Sequence, residues 1–365
     1  MTGKRVMQTS FAAGVVAGLF ASLVAVTPLS AQDTCPNRGQ LDTLYCDADN
    51  DLVADTPTDP AKLKDPSTLI FSYAPVENPA VYQTVYQPLL DRIASCTGKK
   101  VVYYSAQSST AQIEAMRSGR LHISSYSTGA VGFAVNMAGA VPFVVMGSDK
   151  AVAGYQVQAI VRADSPYKVL ADLKGKKVAH VAPSSNSGHL APKVMFPEQG
   201  LTPDTDYKPL MSGGHDKSIF GVVSGDYDMA PVASDILDRM LARGDVKADA
   251  IRIIWKSEVF PTLNVTYAHD LKPELQVAIR KCFEEFRFPE SMQKEYKGFD
   301  RFLPMTYKDT WKPLRDVAEK SGTPYNRVAY EAQKKKDAEA DAKKAAAQPG
   351  PQPAGQPLPA GQTKP

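Results

Sequence analysis

A run of small polar side chains lies at residues 184–188, where an apolar, strand-like stretch is followed by a helix-like one. Its last four members are Ser185, Asn186, Ser187 and Gly188. At the start of a helix, backbone N–H groups have no partner inside the helix, and the dipole end is positive. Such a position binds a compact oxyanion without a full counter-charge. The alternative is an ordinary Ser or Asn N-cap, which any helix can carry.

Two other polar segments also lie at the start of a predicted helix. Tyr126, Ser127 and Thr128 follow a strand-like stretch at 121–124, and a Gly-Gly-His-Asp segment that contains His215 precedes a further predicted helix. Open α/β sheets bind ligands at the carboxyl ends of their strands. We therefore predict that the three segments converge in one cleft and offer N–H and hydroxyl donors to an anion.

Patterns typical of enzymes are mostly missing from the sequence. There is neither a Gly-x-x-x-x-Gly-Lys-Ser/Thr phosphate loop nor a Gly-x-Ser-x-Gly nucleophile elbow. His215 and Asp216 could orient a base for Ser187, but a catalytic serine needs its base and an oxyanion hole arranged together. A serine hydrolase is therefore the less favoured alternative, and the sequence predicts neither a catalytic residue nor an organic cofactor.

An acidic stretch near the start of the chain has the spacing of a calcium loop. Asp47, Asp49, Asp51 and Asp55 alternate in the way by which a loop surrounds a hard cation with oxygen ligands. The stretch resembles thrombospondin type 3 repeats and, more loosely, an EF-hand loop, although Leu52 stands where those loops usually have glycine. A structural calcium site is one interpretation, and a solvated acidic linker is the other.

The N-terminus has the pattern of a secretory signal. Lys4 and Arg5 precede an apolar run at about 11–26, and small residues end at Ala31. We expect cleavage after Ala31, so that residues 1–31 are a signal peptide and the mature protein is periplasmic. The formal net charge of +3 gives no reason to expect nucleic-acid binding.

The sequence contains four cysteines, which is consistent with export to an oxidising compartment. Cys35 and Cys46 flank a short loop, whereas Cys96 and Cys282 lie far apart, each near a predicted helix. We expect the pairs Cys35–Cys46 and Cys96–Cys282, although four cysteines permit three pairings.

The part of the chain that can form a core alternates strand-like and helix-like segments, which predicts an α/β fold. It follows a Cys/Asp-rich N-terminal segment at 32–67. Its length of roughly 250 residues favours two lobes over one. A charged and then Pro/Gly-rich segment at 329–365 is predicted to be a frayed helix followed by a disordered tail.

From about residue 69 to residue 287 the chain resembles the phosphate/phosphite/phosphonate-binding family of periplasmic receptors, which serve ABC importers. The resemblance rests on the combination of four motifs. They are Phe71-Ser72-Tyr73-Ala74-Pro75, Ile113-Glu114-Ala115-Met116-Arg117-Ser118-Gly119, the Ser-x-Ser-Gly-x-x-x-Pro element at Ser185–Pro192, and Gly214-His215-Asp216 followed by Gly225-Asp226-Tyr227-Asp228-Met229-Ala230.

The resemblance implies a type II periplasmic-binding fold in which the chain crosses between two lobes twice. We place the crossings near 162–165 and 259–267, which gives lobe one 68–161 plus 267–328 and lobe two 162–266. A monomer that closes on its ligand and meets a membrane permease is expected. The family also implies that the oxyanion contacts Ser185, Asn186, Ser187 and His215.

Two departures from the family pattern bear on the ligand. Ser109-Thr110 stands where relatives often have a tyrosine, so the donors of lobe one differ; the candidates there are Tyr73, Tyr126 and Thr128. Asp235 could supply one carboxylate for an amine, but the second position falls among Thr262, Leu263 and Asn264. We therefore favour phosphite, phosphate or methylphosphonate over an aminoalkylphosphonate. A receptor of the same fold for another small anion, or one that acts with a sensor partner, is the alternative.

Overall fold

The computed structural model describes residues 35–78, 80–262 and 264–347. The predicted signal peptide and the Pro/Gly-rich end of the chain at 348–365 lie outside the described residues. Two sheets with helices packed against them account for most of the rest, so the predicted α/β class is confirmed.

The described strands are, in chain order, β1 (Thr68–Tyr73), β2 (Lys100–Tyr103), β3 (Ile123–Ser125), β4 (Ala140–Gly147), β5 (Gly154–Arg162), β6 (Val178–His180), β7 (Pro209–Met211), β8 (Met229–Ala233), β9 (Ile251–Pro261), β10 (Asn264–Ala268) and β11 (Arg301–Pro304). The described α-helices are α1 (Ala80–Thr97), α2 (Ser109–Arg117), α3 (Val131–Ala138), α4 (Ala191–Met195), α5 (His215–Ser224), α6 (Ser234–Arg243), α7 (Pro273–Glu285), α8 (Glu290–Glu295), α9 (Tyr307–Thr310), α10 (Lys312–Lys320) and α11 (Arg327–Ala347). Short single-turn helices join some of them.

The first sheet has the strand order β11-β4-β10-β3-β1-β2, and the second has the order β7-β6-β8-β5-β9. Parallel pairs join β1 to β2 and β3, and join β6 to β7 and β8. Strands β10 and β5 run antiparallel to their neighbours. We call the part built on the first sheet the first lobe and the part built on the second sheet the second lobe.

The first passage between the lobes lies earlier than the sequence predicted. Strand β5 pairs with β8 and β9 in the second sheet, with Gly154 opposite Pro261 and Arg162 opposite Ile251. The chain therefore changes sheets between Gly147 and Gly154, and not near 162–165. The boundary was misplaced because these pairings join residues about 90 to 110 positions apart, which no local pattern reveals. The second passage falls between Pro261 and Asn264, inside the predicted range.

Both predicted disulfides are present. Cys35 pairs with Cys46 and Cys96 pairs with Cys282, with Cα–Cα distances of 5.5 and 6.1 Å. The second bond joins α1 to α7. It therefore connects two elements that are 186 residues apart in the chain.

Two terminal segments pack against the first lobe instead of extending from it. Leu41, Tyr45 and Val53 of the Cys/Asp-rich segment are buried in the core. At the other end, helix α11 begins two residues before the predicted tail, and its Tyr330 is fully buried against Phe133. The start of the predicted tail is thus a packed helix, because one aromatic residue anchors an otherwise polar sequence. Among the helices of the described residues, none combines the length and apolar character that crossing a lipid bilayer requires.

Candidate functional site

A cavity of about 40 Å³ lies where the two lobes meet. All the predicted ligand-contacting residues except Gly188 line it. The full lining is Tyr73, Ala74, Val76, Ser125, Tyr126, Ser127, Thr128, Tyr155, Ser185, Asn186, Ser187, His215, Ala233, Asp235, Ile236 and Thr262. The three polar segments found in the sequence do converge, because the loops after β3, β6 and β7 reach the same space.

The segment after β6 forms a π-helical turn over Asn186–Leu190, where the sequence predicted an ordinary helix start. Leu190 N–H donates to the Ser185 carbonyl, five residues back, at 2.9 Å. Ser185 caps this turn by accepting the Gly188 N–H at 3.0 Å. Such wide turns often occur at functional sites, and here the turn directs two consecutive side chains, Asn186 and Ser187, into the cavity.

Gly188 does not line the cavity, contrary to the prediction. A Cβ atom placed on it would lie 2.4 Å from Cγ2 of Val181. Glycine is thus required at this position because the turn packs closely on Val181, the residue after β6.

His215 and Ser187 form a hydrogen-bonded pair, with 3.2 Å between Nε2 and Oγ. The other ring nitrogen, Nδ1, accepts the backbone N–H of Ala233 at 3.4 Å. This bond assigns the proton to Nε2. Burial, aided by the positive charge of Arg239, lowers the pKa of His215 to about 3, so the ring is neutral. Nε2–H therefore donates to Ser187, whose own hydroxyl hydrogen is free to point into the cavity.

Tyr155 was not among the predicted site residues, yet its ring is buried beside the π-helical turn. The Asn186 side-chain N–H donates to the Tyr155 hydroxyl at 2.8 Å. Burial raises the pKa of Tyr155 above its ordinary range, so the hydroxyl keeps its proton. The Asn186 Oδ1 atom is buried and has no partner among the described residues. Tyr155 is the second residue of β5, the strand that the sequence assigned to the wrong lobe, which is why it was missed.

The first lobe contributes hydroxyl and backbone groups from the loop after β3. Thr128 Oγ1 lies 3.4 Å from Oγ1 of Thr262, a second residue the sequence did not single out as a donor. Ser127 Oγ lies 3.2 Å from Ser109 Oγ. The Trp311 indole N–H donates to the Thr128 carbonyl at 3.1 Å and holds the loop against the core.

Two predicted donors of the first lobe line the cavity and contact neighbouring side chains of that lobe. The Tyr126 hydroxyl donates to the Met116 sulfur at 3.4 Å. The ring of Tyr73 stacks with Tyr82 and Tyr86, at centroid distances of 4.2 and 4.9 Å. The Tyr126 hydroxyl is therefore engaged within the first lobe, and Tyr73 contributes its ring to an aromatic cluster.

Asp235 is the one residue of the described lining with a carboxyl side chain. Its Oδ2 forms an ion pair with Arg239 at 3.1 Å, and its Oδ1 is buried with no hydrogen-bond partner among the described residues. Arg239 is itself shared with Glu77 and Glu295 of the first lobe, at 3.4 and 3.3 Å. The positive charge of Arg239 is thus paired with carboxylates, and the described lining of the cavity offers an anion neutral donors and one carboxylate.

The acidic loop brings part of the predicted calcium set together. Oxygen atoms of Asp47, Asp49 and Asp51 lie within 4.8 Å of one another. Asp55 lies outside this group, and its carboxylate accepts the Ala48 N–H at 2.8 Å. Leu52 takes a φ of +70°, the left-handed conformation for which such loops usually have glycine. Calcium binding stays a prediction, which a chelator-sensitive melting temperature would test.

The sequence of this chain is similar to that of known periplasmic binding proteins. Residues 71–311 match the family described as ABC transporter, phosphonate, periplasmic substrate-binding protein. The Phosphate-import protein PhnD of Mycolicibacterium smegmatis is 29% identical over 242 residues, which cover 63% of this chain and 75% of the relative.

Solved structures show the same two-lobed fold. The binding protein component of an ABC phosphonate transporter from Pseudomonas aeruginosa aligns with a TM-score of 0.64 at 20% identity, covering 77% of this chain and 99% of that one. PhnD1 from Prochlorococcus marinus, in complex with methylphosphonate, aligns with a TM-score of 0.64 at 16% identity, covering 71% and 99%. The predicted type II periplasmic-binding fold is therefore confirmed. Because the family match spans more than half of the chain, the protein belongs to the periplasmic substrate-binding proteins of phosphonate ABC transporters.

Proposed function

We propose that this protein binds a small, protonated phosphorus oxyanion (phosphite, phosphate or methylphosphonate) between its lobes and delivers it to an ABC permease. The observation that carries the proposal is the 40 Å³ cavity, whose polar lining consists of neutral donors and one carboxylate. This volume accommodates about three water-sized groups. It suits a phosphorus atom with three or four small substituents and is too small for a long side chain.

The donors come from both lobes. Ser187, Asn186 and Tyr155 belong to the second lobe, and Ser127 and Thr128 belong to the first. Hydrogen bonds from neutral donors to an anion are stronger than bonds between neutral groups, and they are strongest where water is excluded. Binding would therefore draw the two halves together in a hinged closure.

Asp235 supports the protonated form of the ligand. An unpartnered carboxylate oxygen beside an anion is repulsive unless the anion supplies a proton to it. A P–OH group can donate to Oδ1 of Asp235, whereas a fully deprotonated oxyanion cannot. The site should thus prefer the monoanion of each phosphorus acid and reject sulfate, which carries no proton at neutral pH.

The geometry also argues against hydrolysis. A general base must accept the serine proton on Nε2, but in this protein Nε2 of His215 already carries a hydrogen because Nδ1 accepts from Ala233. No carboxylate is bonded to Nδ1 in the described part of the chain to reverse this tautomer. We assign Ser187 to binding and no residue to catalysis.

The names of the relatives support a role in transport. One is a phosphate-import protein, and a solved neighbour was determined with methylphosphonate. We infer that the N-terminal segment directs export, that the mature protein works as a monomer, and that its closed form is recognised by the permease.

The test is calorimetric titration with phosphite, phosphate, methylphosphonate, 2-aminoethylphosphonate and sulfate. We expect the first three to bind with one-to-one stoichiometry and to raise the Tm as the logarithm of their concentration. Binding of 2-aminoethylphosphonate should be weaker, and sulfate should not bind. Absence of binding by every phosphorus oxyanion, or turnover of a phosphorus ester, would overturn the proposal.

A further inference from the structure

The two lobes meet at a backbone contact beside the oxyanion cavity. Gly129 follows the donor loop of the first lobe, and Ser184 precedes the π-helical turn of the second. A Cβ atom placed on Gly129 would lie 2.2 Å from the Ser184 carbonyl oxygen and 2.9 Å from the Asn186 nitrogen. Both distances are shorter than nonbonded heavy atoms tolerate, and both neighbouring atoms belong to the backbone. The observed approach of the lobes is therefore possible only if residue 129 has no side chain.

The requirement for glycine comes from the neighbouring lobe and not from the conformation of Gly129 itself. Its φ is not among the positive values found in the described chain, so an alanine could adopt its backbone conformation. In an open arrangement, with Ser184 moved away, the added methyl group would meet no obstacle from the second lobe.

Neither side of the contact can easily give way. On the first lobe, the Trp311 indole holds the Thr128 carbonyl, and Ala130 N–H donates to the Ser127 carbonyl at 2.8 Å. Across from it, Ser185 N–H donates to the Ala182 carbonyl at 2.9 Å. Because hydrogen bonds fix both loops next to the contact, an added methyl group would have to be accommodated by separating the lobes.

The contact also separates two cavities. Asn186 lines the inner 40 Å³ cavity, whereas Ser184 lines an outer cavity of about 330 Å³ that contains Lys193 and Lys336. Gly129 lies against both Ser184 and Asn186. Separation at this point would join the two spaces and admit water to the oxyanion.

We propose that Gly129 is the positioning residue that sets the final approach of the lobes, so that a side chain there leaves the oxyanion bound to one lobe only. This inference rests on the proposed function. It concerns the closure of the lobes and assigns Gly129 no hydrogen bond to the ligand.

The test compares Gly129→Ala with the wild-type protein by calorimetry and by small-angle scattering, with methylphosphonate as the probe. We expect the Kd to rise about 100-fold, as for the loss of one or two hydrogen bonds to a charged group. Dissociation should be faster, and the ligand-induced decrease in the radius of gyration should be lost. The Tm of the ligand-free variant should stay within about 2 °C of wild type.

Gly175→Ala is the matched control. Gly175 has a φ of +71° and no neighbouring atom within 4 Å of an added Cβ. Alanine there should lower the Tm through backbone strain while leaving the Kd and the compaction unchanged. The two glycine variants should thus show opposite patterns.

Three other outcomes would contradict either the inference on Gly129 or the proposed function. If Gly129→Ala binds and compacts as wild type does, the inference is wrong and the proposed function stands. If the ligand-free Gly129→Ala protein loses as much stability as a core mutant, Gly129 serves folding and not closure, which also overturns the inference. If wild type binds no phosphorus oxyanion, the proposed function itself fails.

Discussion

Nε2 of His215 lies 3.2 Å from Oγ of Ser187, while Nδ1 of the same ring accepts a backbone N–H from Ala233. The two bonds together make His215 a donor and leave the Ser187 hydrogen for the cavity. A Ser–His pair that resembles part of a catalytic triad in sequence is thus oriented for binding an anion.

Replacing Ser187 by alanine should weaken binding without unfolding the protein. The variant loses one hydrogen bond to an anion, so we expect the Kd for methylphosphonate to rise about 10- to 100-fold. Ser224→Ala, an exposed hydroxyl at the far end of the same helix as His215, is the control and should bind as wild type. Equal affinity of Ser187→Ala and wild type would remove Ser187 from the site.

The affinity should fall as the pH rises through the second ionisation of the ligand. The carboxylate of Asp235 accepts a hydrogen bond from P–OH but repels the dianion. In Asp235→Asn the amide can donate to the dianion, so the decrease in affinity should become shallower or vanish. Asp238→Asn changes a partly exposed carboxylate on the same helix as Asp235, one that pairs with Lys297, and should keep the wild-type pH dependence. Calorimetric titration with methylphosphonate at several pH values gives the affinity of wild type and of both variants.

The folded protein should lose stability as the pH falls below about 6.5. Burial lowers the pKa of all five histidines, and the pKa of His189 and of His215 falls to about 3. Between about pH 6.5 and pH 3 the unfolded chain therefore binds more protons than the native state, so the free energy of unfolding increases with pH.

His189→Asn isolates one of these groups. Nδ1 of His189 lies 2.9 Å from Nδ1 of His180, so protonating both rings would break their hydrogen bond. At neutral pH the free energy of unfolding of the variant should be lower than that of wild type. Near pH 4.5 the difference between the two proteins should be smaller by about 2 kcal/mol. Urea unfolding at the two pH values gives the comparison, and a constant difference would contradict the prediction.

The Cys96–Cys282 disulfide should stabilise the protein more than the Cys35–Cys46 disulfide does. It closes a loop of 186 residues against one of 11, and the entropy removed from the unfolded chain increases with loop length. We expect Cys96→Ala with Cys282→Ala to lower the free energy of unfolding by about 4 kcal/mol, and the Cys35/Cys46 double variant by about 2 kcal/mol. Denaturant unfolding of both variants under oxidising conditions tests the order.

Helix α11 should contribute to stability through Tyr330. This ring is fully buried, and its hydroxyl donates to Glu114 at 2.9 Å. Tyr330→Ala should cost about 3 kcal/mol, whereas Lys335→Ala on the exposed face should change the free energy of unfolding by less than about 0.5 kcal/mol. A negligible effect of Tyr330→Ala would restore the interpretation of this segment as a tail.

Much of the candidate site could be predicted from local sequence. Ser185, Asn186 and Ser187 stand directly after an apolar strand, and His215 begins a helix after a glycine pair, so residue type and position were enough to identify them. Tyr155 and Thr262 were missed because both lie next to the passages between the lobes. Their neighbours in space come from strand pairing over about 100 residues, and that pairing leaves no periodic signal in either segment.

The sequence by itself therefore determined the α/β class, the export signal as a prediction, and the types of group offered to an anion. These depend on periodicity, helix caps and composition, which act over a few residues. Only the tertiary structure decided the volume of the cavity, the tautomer of His215, the unpartnered oxygen of Asp235 and the contact at Gly129. The cavity volume and the contact at Gly129 depend on atoms brought together from both lobes, whereas the His215 tautomer and the Asp235 oxygen depend on neighbours within the second lobe. Close packing makes such features sensitive to shifts of an ångström.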